Sequence, residues 1–261
     1  MKYRIRFAKY GVMRYVGHLD LMRFFQKALK RANVPLAYSK GFHPHPLISF
    51  AAPLSVGVTS GGEYMDIVTE EAVDREAMRD ALNKNMVEGV SIVGVTELAE
   101  TAKNAMAAVE AADYYVYFKT DCAQDERDLT GYAQAIRSFY SDALEIRVTK
   151  QTKKSERTID LKPLIYDFRL LAADKWTADK DGFEEAAAVW QAVLSEEAYS
   201  NDMPVFYLKV KSGSTDNIKP ELVMEHYLAS MVIGPGTYRL GIHRIDMYQT
   251  DADGELVSLG G

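Results

Sequence analysis

Twice along its 261 residues the chain runs through the same order of hydrophobic periodicities, and this repetition constrains its fold more than any other feature. Residues 2–9 alternate, with Lys2, Arg4 and Arg6 set against Tyr3, Ile5 and Phe7, which is the period of a strand. Within 18–32, Leu21, Phe25, Ala28 and Ala32 recur at helical spacing and leave Arg23, Lys27, Lys30 and Arg31 on the other side. Gly17 serves as N-cap, Asp20 suits the positive helix end, and Asn33 and Pro35 stop the helix. Residues 47–58 and 63–69 are expected as two strands, joined by a hairpin turn at Ser60-Gly61-Gly62. A helix over 74–85, with Ala77, Met78, Ala81 and Leu82 inward, and a strand from Val90 to Leu98 complete the pass. The order is β-α-β-β-α-β, the ferredoxin-like pattern.

A second pass follows. Strands are predicted at 113–119, 143–150, 156–172 (one or two), 204–211 and 237–249, with helices over 125–141 and 219–230, the latter opening on Pro220. An amphipathic helix over 181–198 carries Phe183, Ala186, Ala187, Trp190 and Leu194 on one side and reads as an insertion. The expectation is an α+β chain of two tandem ferredoxin-like (βαββαβ) units with a helical insertion in the second. The first domain spans 1–98 and bears a basic face, an Ala/Glu-rich helical linker spans 99–111, and the second domain spans 112–261.

Charge is distributed unevenly. Residues 1–50 hold ten Lys/Arg against one acid, Asp20, in a chain whose net charge is −6. Such asymmetry points to an anionic partner at one end; pairing with the acidic remainder of the same chain is the alternative. Cys122 is the only cysteine, which excludes an internal disulfide and a multi-cysteine metal or iron–sulfur site held by this chain. With no signal-peptide pattern and no apolar run of about 20 residues, a cytoplasmic location is expected. Phosphate-binding Gly-rich loops, the dinucleotide fingerprint and the Gly-x-Ser-x-Gly elbow are all absent.

The chemistry-bearing residues concentrate in Ser39-Lys40-Gly41-Phe42-His43-Pro44-His45-Pro46 and the helix before it. Lys40, His43 and His45 suit phosphate contact, with Gly41 allowing close backbone approach. Phe42, Tyr38, Tyr15 and Phe50 interleave with the bases, a composition suited to stacking on unpaired nucleobases. The nucleic-acid-binding set is therefore Arg14, His18, Arg23, Lys27, Lys30, Arg31, Lys40, Gly41, Phe42, His43 and His45. A rigid turn feeding the next strand is the structural alternative for the loop. A metal on His43 and His45 would need a third ligand from His18, Asp20 or Glu63, so no metal is assigned. Histidines near a phosphate also support metal-independent RNA cleavage by His18 and His45. Arg147, Lys150, Lys153, Lys154 and Arg157, with Lys162 and Arg169 beyond, form a second basic stretch, either a further RNA path or a solvated edge. His243, Arg244 and Asp246 are candidate polar groups at a domain interface.

Several of these stretches resemble a known family. They are Arg14-Tyr15-Val16-Gly17-His18-Leu19-Asp20-Leu21-Met22-Arg23, Ala28-Leu29-Lys30-Arg31-Ala32, Tyr38 through Pro46, and Gly62-Glu63-Tyr64-Met65-Asp66, with Ile242-His243-Arg244 late in the chain. They look like the radical-SAM-linked bacterial family, a domain of unknown function. The chain has Gly17 where that family usually has Ser, and His43 where it often has Asn; the second departure weighs against His43 as a catalyst. The resemblance implies a partner, a radical SAM protein of the cobalamin-binding type, found beside or fused to such domains. The iron–sulfur cluster and S-adenosylmethionine would then belong to the partner, with no cofactor bound by this chain. The role implied is recognition of a substrate such as tRNA or rRNA; the basic segment, the basic helix face and the tandem units point the same way, to a non-catalytic RNA-binding accessory protein, while the same basic face would also suit docking of an acidic protein.

Overall fold

The structure is a computed structural model and describes residues 1–119, 129–151, 156–171, 184–196, 204–213 and 216–261. The fold is mixed α+β, built on one large, mostly antiparallel sheet. The first half contributes β1 (Lys2–Lys9), α1 (His18–Arg31), β2 (Ile48–Phe50), β3 (Thr59–Val68), α2 (Arg75–Asn83) and β4 (Val90–Leu98). β1 pairs antiparallel with β3 and β4, and β2 pairs antiparallel with β3, giving the order β4-β1-β3-β2.

The second half contributes β5 (Ala111–Phe118), α4 (Leu129–Ile136), β8 (Ile165–Leu171), α5 (Glu184–Glu196), β9 (Val205–Lys211), α6 (Pro220–Ser230) and β10 (Leu240–Thr250). Its strands run β10-β5-β9-β8, again antiparallel throughout. Three shorter elements complete the chain: α3 (Ala105–Ala108), the detached hairpin of β6 (Arg147–Gln151) and β7 (Glu156–Asp160), and β11 (Leu256–Ser258) beside β10. β3 and β10 join the halves through a parallel register of two residue pairs, Thr59 with His243 and Ser60 with Arg244. No helix among the described residues is long and apolar enough to cross a membrane.

Local sequence explains most elements. α1 turns Leu21, Phe25, Ala28 and Leu29 into the core, where Phe25 meets Phe7 at 4.7 Å between ring centroids. Burying each large side chain of this kind contributes about 1.5–3 kcal/mol. Asp74 caps α2 by accepting from the Ala77 N–H at 2.8 Å.

Four expectations change. Ser60-Gly61-Gly62 is not a turn but lies inside β3; the connection from β2 is the loop 51–58, which contains Pro53. Gly62 is needed for close approach, because a Cβ there would sit 2.4 Å from the Ile245 carbonyl oxygen on β10. Helix occupies only Ala105–Ala108 of the expected linker, and β5 begins at Ala111. The predicted strand at 143–150 belongs to the β6–β7 hairpin, off the main sheet. Finally α4 runs into a π-helical turn, Arg137–Ser141. Parts of two predicted helices, 125–128 and 181–183 with 197–198, lie outside the described residues.

α5 packs on the sheet face opposite α1. Trp190 lies 5.0 Å from the His243 ring and 4.8 Å from that of Tyr115, and Val189 clusters with Ala8 and Val93 of the first half. The inserted helix therefore covers both halves.

Candidate nucleic-acid interface

α1 carries the basic face that its periodicity predicts. Arg23, Lys27, Lys30 and Arg31 are all exposed on the side away from the core. Leu19, Arg23, Lys27 and Lys30 follow one another at intervals of four, four and three residues, so they form a single stripe. Arg23 pairs with Asp20 at 3.4 Å, both side chains in solvent, while Arg31 donates to the Asn85 carbonyl at 3.1 Å. Such exposed contacts hold the cations weakly. Arg14 sits on the 3-10 turn before α1, its guanidinium 5.3 Å from the Tyr15 ring.

The proline-rich loop is a small hairpin. Leu36 bridges to Thr69 and Tyr38 to Pro46. The Leu47 N–H donates to the Ala37 carbonyl and the Ser39 N–H to the His45 carbonyl, each at 2.9 Å. The Ser39 hydroxyl also meets His45 Nδ1 at 2.8 Å and accepts from the His45 N–H at 3.1 Å. Above these rungs no hydrogen bond from another described residue holds the tip. Gly41 has φ +129°, a conformation side chains resist. Phe42 is 102% exposed, and Lys40, His43 and His45 are exposed around it. Only residues 32–37 separate the hairpin base from the last turn of α1.

The histidines do not meet. The His18 ring packs edge-on against Phe50 at 5.4 Å. His45 lies five residues earlier on a nearly extended segment, roughly 16 Å of chain at ~3.3 Å per residue, and its ring is turned to Ser39. The hairpin thus does not bring His45 to the helix start at Gly17. Glu63 is buried at the seam, and Asp20 is in solvent beside Arg23, so the candidate metal ligands are dispersed.

In the second basic stretch, Arg147 pairs with Glu145 at 2.9 Å, Arg169 pairs with Asp167, and Lys162 donates to the Tyr140 carbonyl. Lys153 and Lys154 lie outside the described residues.

A family model described as an uncharacterized protein conserved in bacteria (DUF2344) matches residues 2–220. The chain belongs to that family. No curated protein matches the sequence. Among solved structures the chain is similar to one titled crystal structure of the archaeal box H/ACA sRNP Nop10-Cbf5 complex, at 10% identity and a TM-score of 0.40. That match covers 93% of this chain and 46% of the other, so the chain spans about half the length of its neighbour.

Not all of the positive charge in the first fifty residues lies at the surface. Arg4, Arg6 and Lys9 are buried. Arg4 grips Asp66 with two hydrogen bonds, at 2.8 and 3.0 Å. Arg6 lies 3.7 Å from Asp246. Lys9, 1% exposed, donates to the Val16 carbonyl at 2.8 Å. Burial pulls its ammonium pKa down, opposed by Glu63. Arg244 donates to Glu63 at 2.9 Å and to the Tyr114 hydroxyl at 3.3 Å. Burial pushes the Glu63 carboxyl up, opposed by Arg244.

Asp113 accepts from the Asp246 N–H and from the hydroxyls of Tyr207 and Tyr248. Burial, and then the nearby Asp246 carboxylate, push it up to about 7. His243 is held neutral, with burial pushing its pKa down to about 3, and its Nδ1 meets the Thr59 hydroxyl at 2.9 Å. The sequence marked His243, Arg244 and Asp246, and Glu63 only as a candidate metal ligand; that Arg244 partners Glu63, and Asp246 partners Arg6 and Asp113, only tertiary pairing reveals.

Proposed function

We propose that this chain is a non-catalytic RNA-binding, substrate-recognition protein of the cytoplasm that acts with a radical SAM enzyme, with tRNA or rRNA as its RNA. The carrying observation is Phe42, wholly exposed at the tip of a hairpin whose base is fixed by Ser39 and His45. A large ring held in water costs solvation unless a partner covers it. Unpaired bases stack on such rings for about 1–3 kcal/mol each. Lys40 beside it and the cations of α1 supply phosphate contacts that position the strand. The two strand orders, β4-β1-β3-β2 and β10-β5-β9-β8, support reading each half as a ferredoxin-like unit, and thus the chain as a rigid platform for the hairpin. The radical SAM partner rests on the sequence resemblance; with Cys122 alone here, the iron–sulfur cluster and S-adenosylmethionine fall to that partner.

The test is fluorescence anisotropy with single-stranded RNA and tRNA across a salt series. Binding should weaken steeply as salt rises. Phe42→Ala should lose about 5- to 150-fold in affinity, the equivalent of about 1–3 kcal/mol, with the melting temperature unchanged. No binding at low salt would remove the proposal. If a radical SAM protein instead co-purifies through nuclease treatment while RNA fails to bind, the same cations serve protein docking.

A further inference from the structure

Behind the hairpin lies a cavity of about 240 Å³ that neither the sequence nor the family description marks. His45 and Pro46 of the hairpin, Ser49 of β2, Val68 of β3, Leu98 of β4 and Ala102 beyond it bound this space. It opens on the face of the first half's sheet opposite α1. Asp66 and Val68 alternate along β3 with Met65 and Ile67, which belong to the core beneath that helix.

The lining is mostly apolar, and most of its polar groups are already committed. Asp66 accepts from Arg4 and from the Ala105 N–H at 2.6 Å. Asn104 accepts from the Ala107 N–H at 2.9 Å, and Lys2 donates to the Glu100 carbonyl at 2.6 Å. Open groups remain. The Ser49 hydroxyl has no hydrogen-bond partner among the described residues, His45 spends Nδ1 on Ser39 and leaves Nε2 open, and Asn104 engages its Oδ1 and keeps its Nδ2 amide donor. The space equals about eight water molecules at ~30 Å³ each, short of the roughly 300–1,000 Å³ of drug-sized sites. Apolar walls with a few hydrogen-bonding groups in a volume of this size match a flat ring that is greasy on its faces and polar at its edge.

We propose that this cavity receives one unpaired nucleobase from the RNA whose flanking backbone and neighbouring base engage Lys40 and Phe42. The inference rests on the RNA-binding reading above and deepens it. The hairpin walls the cavity with His45 and Pro46 and presents Phe42 four residues earlier, so one strand reaches both. A base already out of a helix enters at least cost, so the RNA is single-stranded or bulged at this point.

The test pairs intact single-stranded oligonucleotides with copies carrying abasic positions, and adds thermal shift with millimolar adenosine, guanosine, cytidine or uridine. Ala102→Phe fills the cavity from a segment outside the sheet and leaves Lys40, Phe42 and the α1 cations untouched. Wild type should bind the intact strand at least tenfold more tightly than the abasic one, and at least one nucleoside should raise its melting temperature. Ala102→Phe should lose both effects yet keep the salt dependence. Ser49→Ala, which removes one hydroxyl and disturbs no hydrogen bond, should change the order of nucleoside preference. Abasic discrimination and nucleoside shifts that survive in Ala102→Phe, or that are absent from wild type, overturn the cavity while salt-dependent binding upholds the RNA reading. Nucleoside shifts specific to wild type, with no strand binding, uphold the cavity and sink that reading.

Discussion

Arg4, Arg6 and Lys9 lie within the same basic stretch as Arg23, Lys27 and Lys30, yet the first three are buried and the second three stand in solvent. The difference is one of position in the sheet. β1 has β3 on one side and β4 on the other, and both of its faces are covered, so its cations are tolerated only where carboxylates of β3 and β10 or, for Lys9, carbonyls of the turn before α1 reach them. α1 has one buried face, so the cations on its other face need no partner. Charge of one sign in one stretch of sequence thus divides into a part that holds the halves together and a part that is available to bind.

Breaking the buried ion pairs around the seam, to which Arg244 of β10 belongs together with Arg4 and Arg6, gives the largest expected effect. Arg244→Leu strands Glu63 without its main partner and should cost about 3–5 kcal/mol in urea unfolding. Adding Glu63→Gln should recover much of the loss, and the size of the recovery measures the coupling. A subtler probe of the seam is pH. Asp113 keeps its proton in the folded state up to about 7, whereas an ordinary aspartate loses it near 3.8. Its contribution to stability is therefore full below the lower value and lost as pH rises through the upper one. Unfolding midpoints from pH 5 to 8 should fall more steeply for wild type than for Asp113→Asn. On the exposed side, the double variant Lys27→Ala with Lys30→Ala should shift stability by less than about 0.5 kcal/mol. It should, however, flatten the logarithmic salt dependence of RNA binding by about 1.4, at ~0.7 per phosphate contact on a single strand. A stability loss in that variant, or none in Arg244→Leu, would erase the division.

The sequence made some of this legible and hid the rest for physical reasons. α1 could be read because Leu21, Phe25 and Leu29 repeat at the spacing of one helical face, and the stiffness of the loop because Pro44 and Pro46 restrict the backbone while Gly41 permits a turn; its pairing into a hairpin was not legible. Ser60-Gly61-Gly62 misled because the composition of a turn is also that of a strand crossed closely by another, and what crosses is β10. The partnership of Glu63 with Arg244 joins residues 181 positions apart and leaves no local trace. Val68, Leu98 and Ala102 have the ordinary pattern of strand and linker residues; only their assembly makes a cavity.

The two-pair register between β3 and β10 also sets an order of events. The Thr59 hydroxyl and the His243 ring that it meets are 184 positions apart. A chain made from its N-terminus exposes the upper edge of β3 long before β10 exists to cover it, since β2 pairs with the other end. Until then that edge is a template for strands of neighbouring chains. Joining the halves is a late, non-local step that slows maturation, and crowded nascent copies compete with β10 for the same hydrogen bonds.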